Sequence, residues 1–214
     1  MSNGTEEIKP RAEKEALPEE LKDYYDKGVA AIRRENYDYA IDLFTSALAL
    51  KQDFADARFY LWLAFREKLK RSRDPLKVKT LIRKVAGFLL RLQGIVLKKK
   101  GKTWEAIYQL EKAMKVDPNS IRTLNAIADC FLSEGQTLNA IKILEAIPQL
   151  DHKNTKALNK LGDLYMKIEN YEKARAYYQA TLRADPSNTD AEHSLKNLDA
   201  IKTLKGSFST EEKK

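Results

Sequence analysis

Residues 121–154 read IRTLNAIADCFLSEGQTLNAIKILEAIPQLDHKN, and residues 155–188 read TKALNKLGDLYMKIENYEKARAYYQATLRADPSN. The second stretch repeats the pattern of the first at a distance of 34 residues. Ala106, Ala140 and Ala174 keep that spacing, as do Gly94, Ala128 and Gly162; Leu90, Leu124 and Leu158; Leu97, Phe131 and Tyr165; and Leu110, Leu144 and Tyr178. A fixed period of this length marks stacked supersecondary units, none of which can bury its own apolar face alone.

Each unit reads as two antiparallel helices, A and B. Helix A carries apolar residues at repeat positions 4, 7 and 11 and a small residue at 8, and helix B a small residue at 20 and larger apolar ones from 24. Spacings of three and four put each set on one helical face. The small residues fall where the two helices cross, so the backbones can approach closely. Asp117-Pro118-Asn119 and Asp185-Pro186-Ser187 stop one unit and start the next. Pro148 lies inside helix B of the fourth unit and should kink or shorten its last turn.

The expected fold is an all-α solenoid of about five helix pairs. The units run 21–54, an irregular 55–86, 87–120, 121–154 and 155–188, followed by a capping helix over 189–204. Residues 1–18 and 205–214 read as loose tails.

The small-at-8, Tyr/Phe-at-11, Ala-at-20, Asp-Pro-at-31/32 pattern resembles the tetratricopeptide repeat family, from residue 21 to about 204. The resemblance implies a right-handed superhelix whose concave face, lined mainly by A helices, binds peptides or other proteins. It places Tyr25, Phe59, Leu63, Arg91, Ile95, Asn125, Lys156, Asn159 and Lys160 in that groove. Some family members clamp the C-terminal carboxylate of heat-shock chaperones. Arg91, Lys156 and Lys160 match that clamp in part, but Ile95 and Ala126 depart from it.

The second unit breaks the pattern. Trp62 stands at position 8, where the smallest residue belongs, and Ala40 lies 66 residues before Ala106, two short of two periods. Val78, Ile82, Val85, Leu89, Leu92 and Val96 are spaced 4, 3, 4, 3, 4, a heptad seam that Leu81, Phe88 and Ile95 widen. Two readings fit. Either the chain bends at Ala86–Gly87 and the solenoid continues, or one helix runs from about 75 to 100. The continuous helix would carry Gly87 and Gly94 at about 1 kcal/mol each against alanine. It would also leave an apolar seam able to support self-association.

Charge is concentrated in the same place. Residues 55–102 hold 15 basic and 3 acidic side chains, residues 1–54 hold 8 and 12, and residues 103–214 hold 16 of each. Lys70, Arg71, Arg73, Lys77, Lys98, Lys99, Lys100 and Lys102 make the candidate basic patch. Such a field favours acidic partners. An acidic protein surface comes first, an anionic membrane surface or nucleic acid after it. Base-reading RNA solenoids use one set of side chains per repeat, whereas these cations are bunched.

Catalytic and metal chemistry find little support. Gly101-Lys102-Thr103 ends like a phosphate loop, but Val96 stands where its first glycine belongs. His152, His193 and the single Cys130 lie too far apart for a metal constellation. Residues 1–18 hold no apolar run of a signal peptide, and 85–97 is too short and polar to span a bilayer. The expectation is a cytoplasmic, non-enzymatic scaffold without cofactor that binds a peptide or protein. Self-association through 75–100 and a nucleic-acid or membrane adaptor through 66–102 are the alternatives.

Overall fold

The computed structural model describes the backbone over residues 18–72 and 77–211, and side chains over 18–72 and 80–201. All but Pro18 of the first tail, and the side chains of Arg73, Lys77 and Val78, lie outside these. The described residues form an α-solenoid of helix pairs. The first pair is α1 (Glu19–Arg33) and α2 (Tyr37–Leu50), followed by α3 (Ala55–Arg71) and then by α4 (Lys77–Lys99) with α5 (Thr103–Val116). Next come α6 (Ile121–Ser133), α7 (Thr137–Leu144) and α8 (Ala146–Leu150), then α9 (Thr155–Lys167), α10 (Tyr171–Ala184) and α11 (Thr189–Glu211).

Helix ends follow the repeat. Asn36, Ser120, Asn154 and Asn170 each accept a backbone N–H three residues on with their side chains, satisfying donors that a helix start leaves unpaired. The four A-to-B turns each contain one left-handed residue: Glu35, Gly101, Gly135 and Glu169, with φ of 58°, 76°, 72° and 56°. Gly101 therefore serves a turn. In the fourth unit helix B divides into α7 and α8 around Glu145, because Pro148 has no N–H for the preceding turn. The final helix continues past residue 204, where the sequence pattern placed its end, to Glu211.

Small residues at position 8 let the paired helices close. A Cβ on Gly162 would press into the Tyr178 ring, 2.7 Å from Cδ1, and one on Gly94 would lie 2.6 Å from Leu110 Cγ. Tyr178 is buried, and its hydroxyl donates to Asp163 at 2.7 Å. Gly162→Ala should therefore lower stability by about 1–2 kcal/mol, overpacking outweighing the helix-propensity gain. Denaturant titration checks it, and a gain in stability would contradict the close approach.

Of the two readings, the structure has the continuous helix, over Lys77–Lys99. Gly87 and Gly94 face α5, and the seam lies on the opposite side. Among the described residues, the front of α4 is not packed on α3. Instead α3 packs against α2 on one side and against α7, α5 and α8 on the other. Trp62 is wholly buried there and donates its indole N–H to the Pro118 carbonyl at 2.8 Å. Arg58, also buried, reaches Glu111 at 2.6 Å and the Gln52 carbonyl at 2.7 Å, with its guanidinium 4.7 Å above the Phe131 ring. Asn139 on α7 donates to the Asp53 carbonyl at 2.9 Å, and Lys142 pairs with Asp56 at 2.8 Å. The irregular unit is thus a docked helix followed by a strut.

Candidate functional site

The C-terminal half of α4 crosses α5 and faces α6 because Gly94 lets it sit close to Leu110. The three helices border a cleft of about 400 Å³. Arg91, Ile95 and Lys98 enter it from α4, and Arg122, Asn125 and Asp129 from α6. Asp129 accepts from Lys160 Nζ at 2.6 Å, which carries the surface onto α9. Among the described residues, Arg91, Lys98 and Arg122 form no salt bridge. The Arg91 guanidinium stands 5.2 Å over the Phe88 ring. The one carboxylate in the cleft is already paired and the three cations are not, so the cleft suits an acidic ligand.

Of the residues expected on the concave face, the structure brings Arg91, Ile95 and Asn125 into this cleft and puts Lys160 at its border. Asn125 donates its amide to the Ile121 carbonyl at 3.0 Å, and Asn159 donates to Asn188 Oδ1 at 3.0 Å. The Asn159 side-chain oxygen Oδ1 is buried with no hydrogen-bond partner among the described residues, and Lys156 is exposed on α9. Arg122 and Lys98 complete the cleft. Their signal was the repeat register itself, which assigns them positions 2 and 12.

Tyr25, Phe59 and Leu63 do not line it. Tyr25 joins an aromatic cluster with Phe54 at 5.2 Å and Tyr60 at 5.6 Å, where burial holds its hydroxyl pKa far above the usual tyrosine value. Phe59 packs on Tyr60 and Trp62, each at 5.6 Å, and Leu63 is half-buried against the core.

The described residues of the basic patch fall at two helix ends, the end of α3 and the end of α4. The 23 residues of α4 span about 35 Å at the α-helical rise. Lys70 and Arg71 end α3 and pair with Glu67 and Glu35. Lys98, Lys99, Lys100 and Lys102 sit at the other end, where Lys102 pairs with Glu105. Cys130 lines the cleft, and burial pushes its thiol pKa up while Lys98 opposes the shift. A thiol so held is a poor nucleophile. Trp104 is 41% exposed with its ring edge-on to Phe131. Among the described residues no helix is long and apolar enough to cross a membrane, and no His/Cys/Asp/Glu group is arranged for a metal ion.

The 34-residue register and this stack of helix pairs give the chain the fold of tetratricopeptide repeat proteins. A family model described as anaphase-promoting complex, cyclosome, subunit 3 matches residues 99–181, which hold the whole of the fourth unit and parts of the third and fifth. No curated protein matches the chain. Among solved structures, the P58(IPK) TPR domain aligns with a TM-score of 0.53 at 22% identity, over 87% of this chain and 57% of that one. A tetratricopeptide repeat protein from Parabacteroides merdae aligns with a TM-score of 0.50 at 17% identity, over 86% and 61%. The first TPR of Spaghetti (RPAP3), bound to an HSP90 peptide, aligns with a TM-score of 0.48 at 23% identity, over 55% and 94%. This chain spans about three-fifths of the first two structures.

Proposed function

We propose that the protein is a non-enzymatic interaction scaffold that holds an acidic, extended segment of another protein in the cleft between α4, α5 and α6. The carrying observation is the set of three cations without salt-bridge partners, Arg91, Lys98 and Arg122, around a polar floor that includes Asn125. Arginine is suited to carboxylates because its planar fork presents paired donors. Lys160 and Lys156 would extend the hold toward α9. The first groove half contributes core packing rather than ligand contacts.

A fluorescein-labelled, glutamate-rich peptide of about eight residues tests the reading by anisotropy. Arg91→Glu with Arg122→Glu should weaken binding at least tenfold and flatten its salt dependence, since exposed charge pairs are screened. Asn125→Ala should cost about fivefold, the worth of roughly one neutral hydrogen bond. Unchanged affinity in the charge-reversed variant would move the site elsewhere.

A further inference from the structure

The A helices of units four and five, α6 and α9, each pack against the B helix of the unit before, α5 and α7. Repeat positions 3, 7 and 10 are accordingly buried in both: Thr123, Ile127 and Cys130, then Ala157, Leu161 and Leu164. In unit three the same positions are Leu89, Gln93 and Val96, and all are exposed, Leu89 at 53% and Val96 at 50%. The reason is the straightness of α4. The segment that would have been the preceding B helix is its own front half and points away. Among the described residues, α4 packs on α5 and α6 and leaves Leu81, Ile82, Val85, Leu89, Leu92 and Val96 to solvent.

We infer that this seam is a docking site for an acidic amphipathic helix of another protein, which takes the place of the missing B helix. The repeat register says what shape covers this face, because α6 and α9 present the same positions to a helix. The 3-4-3-4 spacing from Ile82 to Val96 keeps the seam in line for a helix across about 21 Å. Charge selects the partner. Helix α4 carries seven basic residues and no acidic one, and Lys84, Lys99 and Lys100 are exposed. A second copy would set a basic helix against a basic helix, whereas flanking glutamates or aspartates on the partner would meet these lysines. Contiguous exposed apolar patches of this kind mark interaction sites. The seam lies on the opposite side of α4 from α5 and is separate from the cleft reading.

The test uses the full chain and a designed peptide of about three to four heptads, with leucine and isoleucine at a and d and glutamate at e and g. Calorimetry should show the acidic peptide binding at least tenfold more tightly than its lysine counterpart or a scrambled sequence. Leu89→Asp with Val85→Asp, both at exposed positions, should lower that affinity at least tenfold and leave the melting temperature within a few degrees. The Arg91→Glu, Arg122→Glu variant should keep it. Equal binding of acidic and scrambled peptides overturns the inference. So does a dimer in light scattering that Leu89→Asp dissociates, which assigns the seam to a second copy. Sedimentation with phosphatidylserine vesicles that the same substitution abolishes, without peptide binding, would assign it to a membrane surface and equally overturn the helix.

Discussion

Replacing Trp62 by alanine should remove about 3–5 kcal/mol of stability, the range for truncating a buried aromatic side chain. The indole is wholly buried, its N–H donates to the Pro118 carbonyl at 2.8 Å, and it packs on Phe59 at 5.6 Å and beneath the Arg66 guanidinium at 5.5 Å. Truncation opens a cavity between α3 and the α5–α6 turn and leaves that carbonyl without its donor. The case is instructive because a family consensus argues the opposite. Gly28, Gly94, Ala128 and Gly162 occupy this position in the other units, so Trp62→Gly looks like a repair. It should be worse than alanine, because it adds the helix cost of glycine, about 1 kcal/mol, to the same cavity. Denaturant titration followed by circular dichroism and by Trp104, the remaining tryptophan, measures both. Losses below about 1 kcal/mol would mean that α3 is not held by this contact.

Arg58→Ala should cost a comparable amount, about 3–5 kcal/mol, as removal of one partner from a buried ion pair does. The Arg58 side chain is 4% exposed and that of Glu111 22%. The guanidinium joins three helices: it sits on α3, bonds Glu111 on α5 and covers Phe131 on α6. Without it Glu111 is left against the α3 surface with no cation, and the Gln52 carbonyl loses a donor. Arg58→Lys should lose less, about 1–2 kcal/mol, because the charge stays but the planar fork that serves Glu111 and Gln52 together is gone. A double-mutant cycle with Glu111→Ala isolates the pair. The double variant should be more stable than the sum of the single losses implies, and strict additivity would show that the pair contributes nothing beyond packing.

Both effects concern contacts with no trace in the periodic pattern. Arg58 and Glu111 are 53 residues apart, Trp62 and Pro118 56, and Arg58 and Asn139 81. None is a multiple of the repeat. The sequence carried a warning in Trp62, a large side chain at a position reserved for a small one, but not the surface that would receive it. Arg91, Asn125 and Asn159 sit at one repeat position on three A helices, and the structure brings the first two to one cleft. Tyr25, Phe59 and Leu63 were assigned by the same register. They lie outside the cleft: Tyr25 on α1 packs with Phe54 and Tyr60, and Phe59 and Leu63 on α3 pack against the core.

Gly87 shows how a local signal stays ambiguous. As a helix stop it would end the second unit. As a small residue it would allow close packing within a longer helix. The structure uses it in the second way, with a Cβ there falling 3.2 Å from Asp117 Cβ. That choice leaves the seam exposed.

The 34-residue period, the caps, the A-to-B turns and the break at Pro148 follow from the sequence by itself, because each rests on neighbours within one unit or the next. The docking of α3, the continuity of α4 and the exposure of its apolar seam were decided only in the tertiary structure. They depend on burial of Trp62 and Arg58 against helices more than fifty residues away, and interactions at that separation leave no periodic mark.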